Sequence, residues 1–188
     1  MERRSDETLI ALLLAGDATA LAPLVARHHR PLLGYLYHLV GGDRALADDL
    51  TQETFARLLR PATYQPGRPF KPWLYAIATN LARDHFRSAA IARTTTGSDA
   101  SMLERHDPAP GPEEWVLATE QRQLVGTALS RLGPEYRAAL LLRFYHDLSL
   151  REIADALGVP LGTVKSRLSV GTHRLRDLLA AEKEGLQR

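Results

Sequence analysis

The chain of 188 residues contains no cysteine, which excludes disulfide frameworks, thiolate metal sites and cysteine nucleophiles together. It also lacks long apolar runs, because no stretch approaches the roughly 18 apolar residues that a membrane helix needs. The apolar run Leu9 to Ala15 lacks the length and the cleavage signature of a secretory signal. With 45% hydrophobic and 24% charged residues, the sequence predicts a soluble globular protein of the cytoplasm with no membrane insertion.

Strands are not indicated either, because strict alternation of apolar and polar residues is hard to find. Helical periodicity runs through most of the chain, and Leu and Ala dominate its apolar residues. One segment is instead rich in Thr, Ser, Gly, Pro and acidic residues, which is the composition of a linker. The sequence therefore predicts an all-α protein with two small helical domains, residues 1–95 and 116–188, joined by a flexible acidic linker at 96–115.

The net charge of +2 is unevenly distributed along the chain. Residues 1–95 carry 12 basic and 9 acidic side chains, residues 96–115 carry 1 and 5, and residues 116–188 carry 11 and 8. Two cationic domains suit a polyanionic partner, because Lys and Arg neutralise phosphates without regard to sequence. A small positive charge on domains of this size is common, so charge alone decides little.

Capping and turn residues predict where the helices of the first domain begin and end. A first helix is expected from Ser5 or Asp6 to Gly16, and a second from near Asp17 through His28. A third ends at Gly41 and Gly42, and a fourth begins at the cap Asp43. The last is expected from Pro72 to about Ala90, after a loop over residues 63–69.

The fourth predicted helix, residues 43–59, has one apolar face and one polar face. Its inner positions are Ala47, Leu50, Thr51, Thr54, Phe55 and Leu58. Asp49, Gln52 and Glu53 lie on the opposite face. This acidic face is either solvated, which is the usual case for charge on a helix, or a docking site for a partner, and the spacing alone favours the solvated face.

The helix predicted from Pro72 has a core stripe of Leu74, Ile77, Ala78, Leu81 and His85. On an adjacent face it groups Trp73, Asn80, Arg83, Asp84 and Arg87. An aromatic ring, an amide and two guanidinium groups on one surface are typical of single-stranded nucleic-acid binding, in which bases stack on rings and phosphates pair with cations. The alternative, which the helix alone favours, is that Trp73 and Phe70 are core aromatics and the arginines are solvated.

The second domain contains a pattern typical of a DNA-reading helix-turn-helix. Ser149 and Glu152 form a capping box, and Gly158 supplies a left-handed helix end. In the following helix, residues 161–176 contain four Lys or Arg and no acid. Its outer face carries Thr163, Ser166, Arg167, Val170 and Arg174, with Lys165 at the flank.

Three segments of the sequence, residues 48–55, 70–84 and 148–168, resemble the signature segments of extracytoplasmic-function sigma factors. The resemblance covers nearly the whole chain in the expected order. Gly171 departs from the family pattern, because a better helix former is usual there and glycine costs about 1 kcal/mol in a helix interior.

The resemblance implies three binding surfaces. Core RNA polymerase is expected to bind Asp49, Gln52 and Glu53. The melted single strand of the minus-ten element is expected to contact Phe70, Lys71, Trp73, Asn80, Arg83 and Arg87. The duplex minus-thirty-five element is expected to contact Thr163, Lys165, Ser166, Arg167, Val170 and Arg174.

Two other functions compete with a promoter-directing sigma factor. One is a two-domain helix-turn-helix regulator that binds duplex DNA only, which has no need of Trp73 and Asn80. The other is a nuclease with a carboxylate-bound metal at Asp48, Asp49 and Glu53, but no further ligand is evident. The sequence is therefore interpreted as a non-enzymatic transcription initiation factor without cofactor or metal, whose partners are core RNA polymerase and promoter DNA. An anti-sigma factor is a further candidate partner.

Overall fold

A computed structural model describes residues 4–59, 64–96 and 116–185 of the chain. Within these ranges the protein is built from helices and turns, with no strand. The helices are α1 (Asp6–Leu14), α2 (Leu21–Leu39), α3 (Arg44–Leu58), α4 (Phe70–Thr96), α5 (Val116–Ser130), α6 (Pro134–Leu140), α7 (Leu150–Leu157) and α8 (Leu161–Gly185). A short 3₁₀ turn (Ala18–Ala20) precedes α2, and a π-helical segment (Leu141–Tyr145) continues α6.

Side chains cap the starts of α1, α3 and α7 as the sequence predicts. The Ser5 hydroxyl accepts from the Thr8 amide, and the Asp43 carboxylate accepts from the Leu46 amide at 3.0 Å. The start of α4 is capped from a distance, because the Glu7 carboxylate accepts from the Phe70 amide at 3.2 Å. A carboxylate at a helix N-terminus satisfies a free amide and complements the helix dipole. Helix α1 is therefore tied to the start of α4.

Helix α2 lies at the centre of the first domain and packs against α1, α3 and α4. The buried polar groups of this core are satisfied. Tyr35 and Thr79 share a hydrogen bond of 2.7 Å between their hydroxyls, and Thr51 and Thr54 each donate to the carbonyl four residues earlier. A buried hydroxyl without a partner is costly, and these bonds let threonine fill core positions.

Three details of the predicted helices are wrong. The predicted second and third helices are one helix, α2, which continues through Pro31. Proline removes one helical hydrogen bond, but the flanking Leu32 and Tyr35 are buried in the core, and tertiary packing holds the helix together. Helix α4 extends beyond Ala90 to Thr96. His85, predicted in the core stripe, is exposed.

The second domain contains the predicted helix-turn-helix. The capping box of Ser149 and Glu152 is complete, and Gly158 ends α7 with a φ of 64°. Helices α6, α7 and α8 pack on one another, with Leu142, Ile153 and Val164 fully buried between them. The all-α fold and the helix-turn-helix are confirmed.

A close approach between α6 and α8 explains the glycine within α8. A Cβ atom built on Gly171 would lie 3.2 Å from the Tyr136 Cβ and 3.3 Å from the Leu140 Cδ1. Both distances are shorter than ordinary van der Waals contact, so a larger residue would force α6 and α8 apart. The low helix propensity of Gly171 is offset by this packing.

The two domains are in direct contact. Helix α4 packs along α7, and α2 packs against α5 and α6. Residues 97–115, which form nearly all of the predicted linker, lie outside the described residues, and the predicted domain boundaries stay a prediction.

Among the described helices, none combines the length and the apolar character needed to cross a bilayer.

Two glycines of α8 allow a matched test of the packing. Gly171→Ala is expected to lower the free energy of unfolding by about 1 kcal/mol, because the steric conflict outweighs the gain in helix propensity. Gly162→Ala is expected to raise it by about 0.5 kcal/mol, since nothing lies within 4 Å of its added Cβ. Urea denaturation measures both, and a stabilised Gly171→Ala protein would contradict the packing argument.

Candidate nucleic-acid interface

An aromatic cluster fixes the beginning of α4. The Trp73 ring is half-buried and lies edge-on to the Tyr64 ring, with 4.9 Å between centroids. The Tyr64 hydroxyl donates to the Arg68 carbonyl at 2.5 Å, which closes the loop before the helix. Trp73 therefore keeps part of its surface exposed, beside a loop that the cluster holds in place.

Phe70 does not match its predicted role as a strand contact. Its side chain is fully buried, and its ring packs 5.2 Å from His28 and 6.0 Å from Trp73, measured between centroids. A ring with no exposed surface cannot stack on a base in this conformation. Phe70 instead supports Trp73, because helical periodicity places it at the first inward position of α4.

The polar face of α4 is brought together as predicted. Asn80, Arg83 and Arg87 are exposed, and Arg83 Nη1 lies 3.3 Å from Asn80 Oδ1. Arg87 pairs with Asp84 at 2.5 Å on the surface, where an exposed ion pair contributes little. Asn80 and Arg87 therefore remain available on one surface.

Two predicted strand contacts are engaged by the second domain. Lys71 Nζ donates to the His146 carbonyl at 2.6 Å, and Arg83 Nη2 donates to the Leu157 carbonyl at 3.2 Å. Sequence periodicity gave no sign of these bonds, since they join residues more than 70 positions apart and end on backbone atoms.

The outer face of α8 is largely free for DNA. Lys165, Ser166, Val170 and Arg174 are exposed, whereas Thr163 and Arg167 are half-buried. The Arg174 guanidinium lies 4.7 Å above the centre of the Tyr136 ring, a cation–π contact that limits its freedom. Helix α8 therefore presents a cationic face, and the major groove of B-DNA is wide enough to admit an α-helix.

The acidic face of α3 is exposed opposite its buried face. The six predicted inner residues are all buried, and Asp49, Gln52 and Glu53 all face solvent. Glu53 pairs with Arg57 at 3.1 Å. Among the described residues, Asp49 and Gln52 of this face form no ion pair, unlike Glu53.

Among the described residues, no group of three or more acidic or histidine side chains is placed to bind a metal ion.

Sequence reasoning missed Arg137 and His146, which lie where the domains meet. Arg137 is buried, and its guanidinium donates to the carbonyls of His38 and Leu39 in α2 and of Ser130 and Leu132 in its own domain. Its Nε has no partner among the described residues. A lone arginine in the apolar run of α6 was the available signal, since a buried cation needs acceptors.

The His146 ring is inserted between two tyrosines of the first domain. Its Nδ1 shares a hydrogen bond of 2.8 Å with the Tyr75 hydroxyl, and its centroid lies 4.5 Å from Tyr75 and 5.7 Å from Tyr35. Burial, together with the nearby Lys71 ammonium, lowers the pKa of His146 to about 4, against a smaller opposite effect of Asp147. The imidazole is therefore neutral at neutral pH.

Comparison with known families matches both domains. The Sigma-70 region 2 family matches residues 24–91, which include most of α2, all of α3 and most of α4. The Sigma-70 region 4 family matches residues 122–171, which include the helix-turn-helix. Among curated relatives, the extracytoplasmic-function sigma factor SigW of Bacillus subtilis is 30% identical over 171 residues, which are 87% of this chain and 91% of that protein. The chain belongs to the extracytoplasmic-function sigma factor family.

Two further relatives of this sigma factor are longer proteins. The chain is 38% identical to BldN of Streptomyces coelicolor over 84% of its own length and 60% of that protein. It is 39% identical to SigE of Mycolicibacterium smegmatis over 88% of its own length and 65% of that protein. The chain thus spans less than two thirds of these two relatives.

Solved structures share the fold of this sigma factor. The structure of CnrH in complex with the cytosolic domain of CnrY aligns with a TM-score of 0.68 and 26% identity, over 95% of this chain and 99% of that one. The sigma factor RpoE in complex with the anti-sigma factor NepR from Bartonella quintana also gives 0.68, at 23% identity over 83% of this chain and 94% of that one. At 23% identity, the similarity to RpoE supports the shared fold only.

Burial of His146 predicts a pH dependence of stability in this sigma factor. With a pKa near 4 in the folded protein and near 6.5 when exposed, His146 binds fewer protons folded than unfolded between these values. Its contribution is complete above pH 6.5 and is lost as the pH falls towards 4. We expect the free energy of unfolding to fall by about 2 kcal/mol between pH 7 and pH 5.

Urea denaturation at the two pH values measures this loss. His146→Gln is expected to reduce the pH dependence, and His38, whose pKa burial also lowers, supplies part of what is left. His85→Gln, which changes an exposed imidazole, should retain the full dependence. An unchanged pH dependence in His146→Gln would assign the loss to other groups.

Proposed function

We propose that this sigma factor binds core RNA polymerase and directs it to promoters. It contacts the minus-thirty-five element as duplex through α8 and the minus-ten element as a melted strand through α4. The observation that carries the proposal is the presence of two different DNA-suited surfaces in one chain. One is a cationic helix-turn-helix, and the other is a face with Trp73, Asn80 and Arg83 beside a structured loop.

The two surfaces suit two states of DNA. A convex cationic helix fits the major groove of a duplex, where side chains reach base edges. A partly exposed tryptophan next to an amide and guanidinium groups fits bases that are already unstacked, since base–aromatic stacking contributes about 1–3 kcal/mol per base. A regulator that binds duplex alone would need only the first surface, which favours the sigma factor.

The residue assignments keep those that the sequence predicts, except that the burial of Phe70 removes it from the strand contacts. On α8 we assign Thr163, Lys165, Ser166, Arg167, Val170 and Arg174 to the duplex. On α4 we assign Lys71, Trp73, Asn80, Arg83 and Arg87 to the strand, with Phe70 as the buried support of Trp73 rather than a contact. On α3 we assign Asp49, Gln52 and Glu53 to core RNA polymerase.

The activity proposed is one of recognition and assembly, with no catalytic step and no cofactor. The division into residues 1–95, a linker at 96–115 and residues 116–188 gives one domain to each DNA element. An anti-sigma factor is a further proposed partner. The structural neighbour CnrH, which aligns over nearly its whole chain, is in complex with the cytosolic domain of CnrY, and this supports a protein partner for this chain.

The acidic face of α3 gives a test of polymerase binding. Asp49→Arg combined with Glu53→Arg is expected to abolish co-elution with core RNA polymerase in gel filtration, because it reverses the charge of the proposed docking face. Both side chains are exposed, so the fold should be kept. Asp155→Arg combined with Asp177→Arg, at exposed positions of α7 and α8, is the charge-matched control. Equal co-elution of both double variants would remove α3 from the interface.

The exposed amide of α4 gives a test of strand capture. Asn80→Ala is expected to leave polymerase co-elution and thermal stability unchanged and to lower run-off transcription at least about fivefold, since a bidentate amide contact to a base edge is worth about 1–3 kcal/mol. A template with a pre-melted bubble should restore part of the activity. Ser88→Ala, at another exposed position of α4, is the control. Normal permanganate reactivity of promoter thymines in Asn80→Ala would exclude this role.

A further inference from the structure

A tyrosine of α6 is packed between two glycines of the second domain. A Cβ atom built on Gly133, in the turn before α6, would lie 3.2 Å from the Tyr136 Cδ2 atom. One built on Gly171, in α8, would lie 3.2 Å from the Tyr136 Cβ atom. Both distances are shorter than ordinary van der Waals contact, so the half-buried Tyr136 side chain fills room that glycine leaves on both sides. The packing therefore restricts the movement of the Tyr136 ring.

The Tyr136 ring carries the guanidinium group of Arg174. Gly171 and Arg174 are neighbours on the surface of α8, because residues three positions apart lie on the same side of a helix. The close approach of α8 at Gly171 thus brings Arg174 Cζ to 4.7 Å from the centre of the Tyr136 ring. This contact holds an exposed cation of the proposed duplex surface against a fixed aromatic ring.

The N–H donors of Arg174 are left without a protein acceptor in the described part of the chain. The side chain forms no hydrogen bond or ion pair there. Asp177, the first acid of α8, pairs with His173 at 3.6 Å. A guanidinium group has five donors in a planar fork that matches a phosphate. The ring contact therefore restrains Arg174 while its donors stay available to an anion.

The place of Arg174 along α8 favours a phosphate of duplex DNA as that anion. Recognition helices contact base edges with residues near their N-terminus. Arg174 lies about 20 Å along the axis from Leu161, the first residue of α8, because each residue adds about 1.5 Å. The major groove is only about 12 Å wide, so a helix inserted by its first turns places Arg174 at the edge of the groove, where the phosphates lie.

We propose that Tyr136 is a positioning residue for DNA binding, which holds the Arg174 guanidinium ready for a phosphate of the promoter duplex. The inference deepens the proposed function and rests on it, since Arg174 is assigned there to the duplex. A long side chain loses conformational freedom when it binds a partner. Arg174 has already lost part of this freedom on the ring, so Tyr136 raises the affinity for DNA without touching it.

Variants of Tyr136 test the role of the ring. Fluorescence anisotropy measures binding of the full-length chain to a duplex of about 30 base pairs, since phosphate contacts need no particular sequence. Tyr136→Leu is expected to lower the affinity about fourfold, because Arg174 is then ordered only on binding. Tyr136→Phe keeps the ring and loses a hydroxyl that has no partner among the described residues, so it should bind like the unmodified chain.

Two outcomes of this comparison would overturn the proposal. Equal affinities of Tyr136→Leu and the unmodified chain would show that the ring does not assist binding. Tighter binding of Tyr136→Leu would show that the ring withholds Arg174 from DNA.

A double-mutant cycle separates positioning from packing. Arg174→Ala is expected to lower the affinity about eightfold at about 0.1 M salt and to make the slope of log K against log salt shallower by about 0.9, the loss of one phosphate contact. Tyr136→Leu should have no further effect in the Arg174→Ala protein, because it acts through the guanidinium. It should keep its full effect in Arg176→Ala, which removes another exposed cation of α8. The same effect in both backgrounds would assign Tyr136 to packing alone.

A fluorinated series covers the case in which Tyr136→Leu is unstable in thermal melting. Tyr136→Phe with increasing numbers of ring fluorines keeps the shape of the ring and weakens the negative charge on its face, which attracts the cation. The affinity for the duplex should fall with each added fluorine, while the melting temperature stays constant. A constant affinity across the series would overturn the proposal.

The proposed function and this inference fail differently. Absence of promoter-directed run-off transcription with core RNA polymerase would refute the proposed function and leave these duplex affinities as expected. Weaker duplex binding by Arg174→Ala with unchanged binding by Tyr136→Leu would refute the inference alone.

Discussion

Helix α4 is packed on two sides, and the positions of both domains depend on that packing. Its inner side completes the core around α2, where Tyr35 and Thr79 share a buried hydrogen bond. A second side lies along α7 and receives the His146 ring. Only the remaining surface, with Trp73 and Asn80, is left for a ligand. The same helix therefore joins core stability, domain contact and the proposed strand binding, and a substitution in α4 has to be assigned to one of these before it is interpreted.

Apart from Arg137 Nε, the polar side-chain groups described at the domain junction have partners, and none of these partners is a buried acid. Arg137 has carbonyl acceptors, His146 is neutral, and Lys71 and Arg83 reach helix ends. A buried ion pair would bring desolvation of two charges, which its own attraction often fails to repay. The last carbonyls of a helix have no amide partner within it. The cations of the other domain therefore replace hydrogen bonds that water would otherwise donate to these carbonyls. The junction is therefore specific in geometry without relying on a buried ion pair between the described residues.

Local sequence signals predicted most of the helices and the placement of their faces. The caps at Ser5 and Asp43, the capping box at Ser149 and the buried face of α3 are confirmed, because each depends on residues within one or two turns. The continuity of α2 through Pro31 was not predictable, since packing by distant helices overrides the local effect of proline. Phe70 was placed in the site for its position in a motif, whereas its burial depends on His28 from α2. The junction of the domains depends on contacts between residues 70 or more positions apart, for which a single sequence has no signal.

The acceptors of the three cationic contacts are all backbone carbonyls, and this has a consequence for how the junction tolerates sequence change. A substitution at His38, Leu39 or Leu157 replaces a side chain but keeps the carbonyl that binds Arg137 or Arg83. The donors have no such protection, because a single substitution at Lys71, Arg83 or Arg137 removes its contact entirely. Sequence drift can therefore weaken the junction from the donor side far more readily than from the acceptor side. In divergent members of the family, the identity of three side chains would report whether this contact between domains is retained.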